Sequence, residues 1–280
     1  MTGGAGGIGL ATAKIIGRDH LVVISGRKQE TLDAAVSDLA AGGVTAVAVA
    51  ADVTQRAAVD ALFAKAASLG EVRAVVHSAG VSPEMGGTHD WLIAINALGT
   101  INVTEAALGI ANERFVLVNV ASIAGYLLPR FLIPKRTFRH AFNDPAALSA
   151  RLVKAAGRMP RNQRSRVAYP ISKNFVIWYT AKMAAAFGAK GARILSVSPG
   201  ITDTEMGRLS KDDAKGLIQD SALKRLGEPE EIAELLAFCA SEKPGFLTGI
   251  DIICDGGTKA GVTLKSVIAG ARGHGIAKVV

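Results

Sequence analysis

The sequence predicts an α/β fold of the doubly wound, Rossmann type, in which helices cover both faces of one parallel sheet. Three observations predict it. Apolar, strand-like runs alternate with amphipathic helices along the chain. Most of these runs are apolar almost throughout, as strands covered on both faces are. A glycine-rich turn, Thr2–Gly9, opens the chain. The 280 residues are enough for one large domain, residues 1–280.

The expected elements follow one another in alternation. Strands are expected at Leu21–Ser25, Val44–Ala50, Val72–His77, Phe115–Val120, Arg193–Ser198 and Gly249–Cys254. Helices are expected at Ile8–Ile16, Glu30–Ala40, Gln55–Ser68, Asp90–Ile110, Ser172–Phe187 and Pro229–Ala240. Short loops that contain glycine connect them, so we expect a single dinucleotide-binding domain.

The net charge of +8 comes from one segment, Leu127–Ala168. This segment has ten Lys or Arg residues and one acid, Asp144, whereas the rest of the chain has a net charge of −1. Because the excess is confined to one piece, nucleic acid is not an expected partner. No apolar run approaches the roughly 20 residues of a membrane span, so we expect no membrane association.

Cysteine usage bears on the compartment. Cys239 and Cys254 lie in apolar contexts, and we expect buried thiols and a cytoplasmic location. The start of the chain has no basic-then-apolar pattern of a signal peptide. The histidines outside the expected sheet have no metal-ligand spacing, so no metal is expected.

Tyr169 and Lys173 form the strongest candidate catalytic pair. They are four residues apart in the helical run Tyr169-Pro-Ile-Ser-Lys173, so their side chains share one helix face. A buried ammonium group beside a phenol favours the phenolate. We therefore expect Lys173 to lower the pKa of Tyr169 from its usual value of about 10. By itself this spacing is more typical of two surface neighbours.

Two further features accompany the pair. The strand-like run Phe115–Val120 is followed by Ala121 and Ser122. The opening turn has a threonine followed by glycines at the spacing of Gly3, Gly7 and Gly9. With these features in this order, the chain resembles the short-chain dehydrogenase/reductase family. The resemblance covers almost the whole chain apart from residues 127–168 and the tail, residues 258–280. It implies hydride transfer between a nicotinamide cofactor and a carbonyl or alcohol carbon.

The resemblance also implies roles for four catalytic residues. Tyr169 is the general acid and base, and Ser122 donates a hydrogen bond to the substrate oxygen. Lys173 binds the nicotinamide ribose and lowers the tyrosine pKa. Asn96 holds a water that completes a proton relay.

Cofactor binding is expected to begin in the glycine turn. Gly3 permits the tight turn, Gly7 lets the backbone approach the pyrophosphate, and Gly9 packs the helix closely on the sheet. Further cofactor-binding residues that the resemblance implies are Ile8, Asp52, Val53, Ala79, Gly80, Pro199, Gly200, Thr202 and Thr204. His77 stands where this family has an asparagine, and we expect it to be structural and to bond neighbouring backbone.

The end of the second expected strand favours NADP over NAD. An acid here would bond both ribose hydroxyls and repel a 2′-phosphate, but Gly26 stands at that place. Arg27 can stack on the adenine and pair with a 2′-phosphate. Ser25 and Lys28 could add contacts. One departure is Gly6, because many NADP-using relatives have a basic residue there.

The basic segment Leu127–Ala168 is an insertion. Ser122 and Tyr169 are separated by 46 residues, far more than is typical of the resembled family. Asp144-Pro145 is a good helix start, and Leu148, Leu152, Ala155 and Met159 follow at helical spacing. Because the insertion lies between two catalytic residues, we expect a helical lid that folds over the substrate mouth and is more mobile than the sheet.

Three functions remain open at this point. The first is an NADP(H)-dependent carbonyl reductase or alcohol dehydrogenase for a bulky, mostly apolar small molecule. Its insertion is similar to that of hydroxysteroid dehydrogenases and carbonyl reductases of the family. The second is a reductase of a 3-oxoacyl group on an acidic carrier protein that docks on the insertion. The third is a non-catalytic NADP-binding regulatory module. The resemblance also implies a homodimer or homotetramer.

The end of the chain is expected to complete the sheet. A dinucleotide fold needs a central strand before the glycine turn, and Ile276–Val280 has the composition of a short strand. We expect it to pair between Leu21–Ser25 and Val72–His77, which would place Val280 near Met1. The alternative is a frayed tail.

Removing the last six residues should then prevent soluble folding, because the edges of two inner strands would lose their hydrogen-bond partners. Soluble yield and cofactor binding of the shortened protein measure this. A shortened protein that still folds and binds cofactor would show that the tail is dispensable.

Overall fold

The computed structural model describes residues 1–209 and 211–262, and these form an α/β fold around one twisted parallel sheet. All strand pairs are parallel, and the strand order is β2-β1 followed by β3-β4-β5-β6. The strands are β1 (Val22–Gly26), β2 (Ala46–Ala50), β3 (Ala74–His77), β4 (Val116–Val120), β5 (Arg193–Pro199) and β6 (Asp251–Cys254). The doubly wound fold predicted from the sequence is confirmed, and each expected strand is present within a few residues of its expected bounds.

Met1 and Thr2 join the two parts of the sheet. Thr2 forms parallel bridges with Ser25 on one side and His77 on the other. The Ser25 N–H donates to Met1 O over 2.8 Å, and the Thr2 N–H donates to Val76 O over 3.1 Å. The strand Ile276–Val280, expected beside β1 and β3, lies outside the described residues.

Helices cover both faces of the sheet. They are α1 (Gly7–Ile16), α2 (Gln29–Ala41), α3 (Arg56–Leu69), α4 (His89–Ile93), α5 (Gly99–Ile110), α6 (Ala124–Leu127), α7 (Pro145–Gly157), α8 (Arg164–Gly188), α9 (Glu205–Leu209), α10 (Lys211–Asp220), α11 (Pro229–Ala240) and α12 (Thr258–Gly261). Helix α1 packs against α2 and α11, whereas α5 packs against α3 and α8. The two groups therefore form separate layers, with the central strands β4 and β5 buried between them.

Two expected helices differ from their predicted form. The stretch expected as one helix from Asp90 to Ile110 contains a π-helical segment, Ala94–Leu98, between α4 and α5. Residues His89–Ile110 are together long and apolar enough to cross a membrane by length and composition. However, 67% of the most apolar window is buried inside the fold, as in the core helix of a folded domain. The other difference is α8, which begins at Arg164, eight residues before the expected start.

The insertion packs against the side of α8. Asp144 caps α7 by accepting the Ala147 N–H over 2.9 Å, as the sequence predicts. Phe138, which is fully buried, meets Phe175 of α8 edge to face with 5.3 Å between ring centroids. Leu148 and Leu152 of α7 are buried in the same core. The buried residue on the next turn is Ala156 instead of the expected Ala155.

The lid expected over the substrate mouth stays a prediction, and the residues that line the cavity bear on it. Of the described residues of the insertion, only Leu127, Leu128 and Arg166 line the large cavity of the protein. These three residues lie at the two ends of the insertion. The apolar face of α7 instead contacts α4 and α8. The described insertion is mainly helical, and its body packs on the flank of α8, the helix that carries Tyr169.

Phe138→Ala should destabilise the protein by about 3 kcal/mol, because it removes a fully buried ring and leaves a cavity against α8. Urea unfolding measures the change in the free energy of unfolding. Phe131→Ala is the matched control, since Phe131 belongs to the same insertion and is 74% exposed. Equal effects of the two changes would mean that Phe138 does not hold the insertion in place.

Candidate active site

A large cavity, of about 720 Å³, lies at the carboxyl ends of the strands. Parallel strands bring their carboxyl ends to one edge of the sheet, and ligands of such folds bind there. The cavity runs from the glycine turn to the helix that carries Tyr169. Its lining includes most of the residues predicted for the site: Gly3, Gly7, Ile8, Arg27, Asp52, Val53, Ala79, Gly80, Ser122, Tyr169, Lys173, Pro199, Gly200, Thr202 and Thr204.

The glycine turn has a shape that side chains would block. Gly3 has a φ of +65°, and a Cβ there would lie 2.7 Å from Ala79 N. Gly7 has a φ of +50° and faces Thr204 across the turn. A Cβ on Gly9 would meet Gly3 O at 2.1 Å, so Gly9 lets α1 approach the turn closely. Gly9 does not itself line the cavity.

The far end of the cavity is formed by residues at the ends of β1 and β2. Ser25, Gly26 and Arg27 line it, whereas Lys28 does not. The Arg27 guanidinium carbon lies 5.8 Å from the ring centroid of Trp91, which is within the range of a cation–π contact. This contact joins α4 to the end of β1, two elements that are far apart in the chain.

The segment after β5 lies opposite the glycine turn. A Cβ on Gly200 would lie 2.7 Å from Asp255 Cα, so only glycine fits between β5 and the residue after β6. Thr202 is buried and bridges to Gly227. Thr204 Oγ1 accepts the Gly207 N–H over 3.0 Å at the start of α9. These contacts hold the segment over the cavity.

Ser122, Tyr169 and Lys173 come together at the end of β4. Ser122 lies close enough to Tyr169 to lower its pKa, and its Oγ accepts the Ala124 N–H over 3.2 Å. Lys173 Nζ donates to Val120 O over 3.0 Å and lies 6.0 Å from the centroid of the Tyr169 ring. The hydroxyl, the phenol and the ammonium group thus face one end of the cavity.

Asn96 lies beneath this group and does not line the cavity. Its side chain is buried, with Nδ2 donating to Val81 O over 3.0 Å and to Ser172 Oγ over 3.2 Å. Its Oδ1 accepts the Val81 N–H over 2.9 Å. Gly80 separates Asn96 from Lys173, since a Cβ there would lie within 3.3 Å of both side chains. The predicted relay residue is therefore next to Lys173.

The pKa of Tyr169 differs from the expectation. Burial raises it above its usual value, the hydrogen bond with Ser122 lowers it, and the nearby charge of Glu84 raises it further. Burial also lowers the pKa of Lys173 to about 8. The expected lowering of the tyrosine pKa by Lys173 is thus not present in this structure. Burial is the largest cause of the shift, and Lys173 Nζ donates to Val120 O.

His77 is buried beside this group, but its partners differ from those expected. Its ring nitrogens contact the hydroxyls of Thr2 and Thr100 instead of neighbouring backbone. Burial, followed by the nearby charge of Lys173, lowers the pKa of His77 to about 3. The ring is therefore neutral at ordinary pH.

The structure also reveals site residues that the sequence interpretation missed. Glu84 and Arg166 line the end of the cavity near Tyr169. Arg166 is three residues before Tyr169, so helical spacing from the tyrosine could have found it once the earlier start of α8 was known. Glu84 has no such signal, because it lies in a loop that packing brings to the cavity. Among residues 1–209 and 211–262 no cluster of His, Cys, Asp or Glu could hold a metal ion.

Comparison with known proteins identifies the family. Residues 1–133 match the family model described as short chain dehydrogenase, and residues 149–259 match the model described as enoyl-(acyl carrier protein) reductase. A curated protein of Alternaria brassicicola, short-chain dehydrogenase/reductase bsc3, is 30% identical, with 92% of this chain and 94% of that protein covered. The chain belongs to the short-chain dehydrogenase/reductase family. It is therefore an oxidoreductase, as the sequence predicted.

Other relatives of this family are similarly distant. The 2-(S)-hydroxypropyl-CoM dehydrogenase 3 of Xanthobacter autotrophicus is 30% identical over 93% of this chain and 95% of that protein. Among solved structures, a short chain dehydrogenase from Burkholderia cenocepacia in complex with NADP has a TM-score of 0.73 and 25% identity. The match covers 92% of this chain and 95% of that one.

The residues of this chain fit the nicotinamide cofactor that the family uses. The turn at Gly3 and Gly7 leaves backbone N–H groups at the start of α1 open to a phosphate. A Cβ on Gly6 would have nothing within 4 Å, so there is room beside the turn. Ser25 Oγ is buried at the far end of the cavity and has no partner in the described part of the chain. An unpaired buried hydroxyl beside Arg27 fits a polar group of a ligand.

Tyr169→Phe should lower turnover by about 10²–10⁴-fold while leaving cofactor affinity nearly unchanged, because only the proton-transferring hydroxyl is lost. Steady-state rates and a cofactor titration measure the two effects. Tyr179→Phe makes the same chemical change in the same helix, away from the cavity, and should keep the wild-type rate. A Tyr169→Phe variant with more than a tenth of the wild-type rate would remove Tyr169 from the mechanism.

Proposed function

We propose that this protein is an NADP(H)-dependent carbonyl reductase or alcohol dehydrogenase for a bulky, mostly apolar small molecule. One observation carries the proposal. Ser122, Tyr169 and Lys173 meet at one end of a cavity whose other end is formed by the glycine turn and Arg27. A substrate carbonyl beside Tyr169 would thus lie in the same cavity as a cofactor bound along the turn.

Each catalytic residue has a role that its position supports. Tyr169 donates a proton to the substrate oxygen in reduction, and its raised pKa keeps that proton in place at neutral pH. Ser122, which lines the same end of the cavity as Tyr169, donates to the same oxygen as negative charge develops on it. Lys173 is largely protonated at neutral pH and would bind a ribose hydroxyl. Bound NADPH would supply the hydride.

The preference for NADP is supported by three residues at the far end of the cavity. Gly26 brings no carboxylate to this place, so a 2′-phosphate is not repelled. Arg27 lines the cavity and rests near the Trp91 ring, which limits the positions that its guanidinium group can take. Ser25 adds an unpaired buried hydroxyl. Arginine and hydroxyl groups are suitable partners for a phosphate.

An apolar substrate is supported by the lining near Tyr169. This end of the cavity includes the apolar side chains of Met85, Leu127, Leu128, Met206, Leu209 and Leu217. Besides Lys173, the charged residues here are Glu84, Glu205 and Arg166, which have mixed signs and do not favour a strongly charged substrate. A screen of bulky ketones and alcohols that follows NADPH absorbance tests this proposal. Activity only on small, highly charged carbonyl compounds would contradict it.

A second candidate is a reductase of 3-oxoacyl groups on a carrier protein. The net charge of +9 on the insertion favours it, and so does the match of residues 149–259 to a family of carrier-protein reductases. The location of the insertion weakens it, because only the ends of the insertion reach the cavity. Comparing one acyl group on carrier protein and on a short thiol would separate the candidates. A much higher kcat/KM with carrier protein, lost at high salt, would favour this second function.

A catalytically idle regulator is the third candidate, and the paired Ser122 and Tyr169 argue against it.

We also propose a cytoplasmic homodimer or homotetramer. Cys239 is buried and Cys254 half-buried, and both are free thiols. Ile250, just before the edge strand β6, is 46% exposed, which supports a contact with a second copy. Light scattering of the purified protein tests the oligomeric state, and a monomer at micromolar concentration would contradict it.

Arg27→Asp should shift preference from NADPH toward NADH, because it replaces a phosphate partner by an acceptor for free ribose hydroxyls. The ratio of kcat/KM values for the two cofactors measures this. Lys28→Asp makes the same change in charge at the next residue, which does not line the cavity, and should shift the ratio much less. A wild-type protein that prefers NADH would contradict the proposed cofactor.

A further inference from the structure

A buried chain of hydrogen bonds runs through His77, from the glycine turn to the helix of Asn96. Thr2 Oγ1 lies 2.7 Å from His77 Nδ1, and His77 Nε2 lies 3.2 Å from Thr100 Oγ1. Thr100 Oγ1 in turn lies 2.7 Å from Asn96 O. Thr2, His77 and Thr100 are each 2% exposed. Water therefore does not compete for these bonds.

The donor and the acceptor of each hydrogen bond follow from the last bond of the series, at Asn96 O. Asn96 O can only accept, so the Thr100 hydroxyl donates to it and must accept from His77. His77 therefore carries its proton on Nε2, and Nδ1 accepts from the Thr2 hydroxyl. The Thr2 oxygen is then free to accept the Ala79 N–H, which lies 3.3 Å away. All the bonds are satisfied by one tautomer of a neutral imidazole.

The series of hydrogen bonds ends at the backbone carbonyl of Asn96, next to the catalytic group. Asn96 lies in the π-helical segment Ala94–Leu98, and its side chain reaches Ser172 Oγ. Ser172 Oγ in turn donates to the backbone carbonyl of Tyr169 over 2.7 Å. The carbonyl and the side chain of Asn96 are thus held from opposite sides, one by His77 through Thr100 and the other by the helix of Tyr169.

His77 cannot act on a substrate directly. Of the described residues, its neighbours Ser78 and Ala79 line the cavity, whereas His77 does not. Both ring nitrogens are engaged by hydroxyls. Any effect on the reaction must therefore pass through the groups that His77 holds.

We propose that His77 is a positioning residue that, through Thr100, fixes the Asn96 carbonyl relative to the cofactor-binding turn and so supports proton transfer at Tyr169. The proposal rests on the proposed function, in which Tyr169 moves a proton. A displaced catalytic group is expensive, since misplacement by about 1 Å can cost about 10²-fold in rate. Here the turn that receives the cofactor and the helix that carries Asn96 are joined by one side chain.

The test removes the hydroxyl that connects His77 to Asn96. Thr100→Val keeps the shape of the side chain and should lower kcat by about tenfold, with KM for NADPH and the cofactor affinity unchanged within about twofold. Thr104→Val is the matched control, because Thr104 is fully buried one turn later in α5 and its hydroxyl has no partner among the described residues. This control should keep the wild-type kcat.

A double-mutant cycle shows whether His77 and Thr100 act together. If they act through one chain, His77→Gln with Thr100→Val should lower kcat no further than the more harmful single change does. Independent, multiplying effects would overturn the proposal. So would a Thr100→Val variant that loses thermal stability while its kcat and pH profile stay the same as those of the Thr104→Val control.

A spectroscopic measurement tests the tautomer without any activity. In protein with ¹⁵N-labelled histidine, the signal lost in His77→Gln should show a proton on Nε2 from pH 5 to 9, and Thr100→Val should weaken this preference. A proton on Nδ1 in the wild-type protein would overturn the proposal. The proposed function fails separately, through activity that survives Tyr169→Phe. If only the Thr100 test fails, the function stands and the positioning role does not.

Discussion

The simultaneous pairing of Thr2 with two strands is the constraint on which the rest of the structure depends. Its backbone bridges β1 and β3, and its hydroxyl bonds His77, so one residue aligns both halves of the sheet with the glycine turn. The turn lies at the carboxyl edge because Gly3, directly after Thr2, adopts a φ of +65°, and a Cβ on Gly3 would clash with Ala79. From this point the chain enters α1, and α1 packs on α11 across the face of β3 and β4. The position of the glycine turn relative to the sheet therefore follows from a few backbone hydrogen bonds at Thr2.

The strands and the order of the motifs were predictable because they depend on local pattern. A strand covered on both faces must be apolar throughout, and β4 and β5 are buried along almost their whole length. The destination of the insertion was not predictable in the same way. Helical spacing at Leu148 and Leu152 says that one face of α7 is buried, but it does not say against which surface. The decisive partner is Phe138, which meets Phe175 and Trp178 on the flank of α8. Packing between aromatic residues that are far apart in the sequence therefore places the insertion beside α8.

Residue types and spacing brought the right groups to the site, but they did not determine the electrostatics. Ser122, Tyr169 and Lys173 converge because β4 ends beside α8, which is a property of the fold. The sign of the Tyr169 pKa shift depends on how much water each group loses and on where Lys173 points, and neither is written in the spacing. His77 is a similar case. Its burial was foreseeable from its place at the end of an apolar strand, whereas its two threonine partners come from residues that are distant in the chain.

The buried polar groups near the site divide into two kinds, and the difference bears on function. Thr104 has a buried hydroxyl without a partner in the described part of the chain, and it is a local cost to stability. Thr2, His77, Thr100, Asn96 and Ser172 instead form one connected set, in which every donor has an acceptor. Removing one member of such a set leaves its neighbours unpaired, which costs about 1–3 kcal/mol for each buried group. A substitution near the glycine turn should therefore alter the hydrogen bonds at the helix of Tyr169, because the connected set joins these two parts of the site.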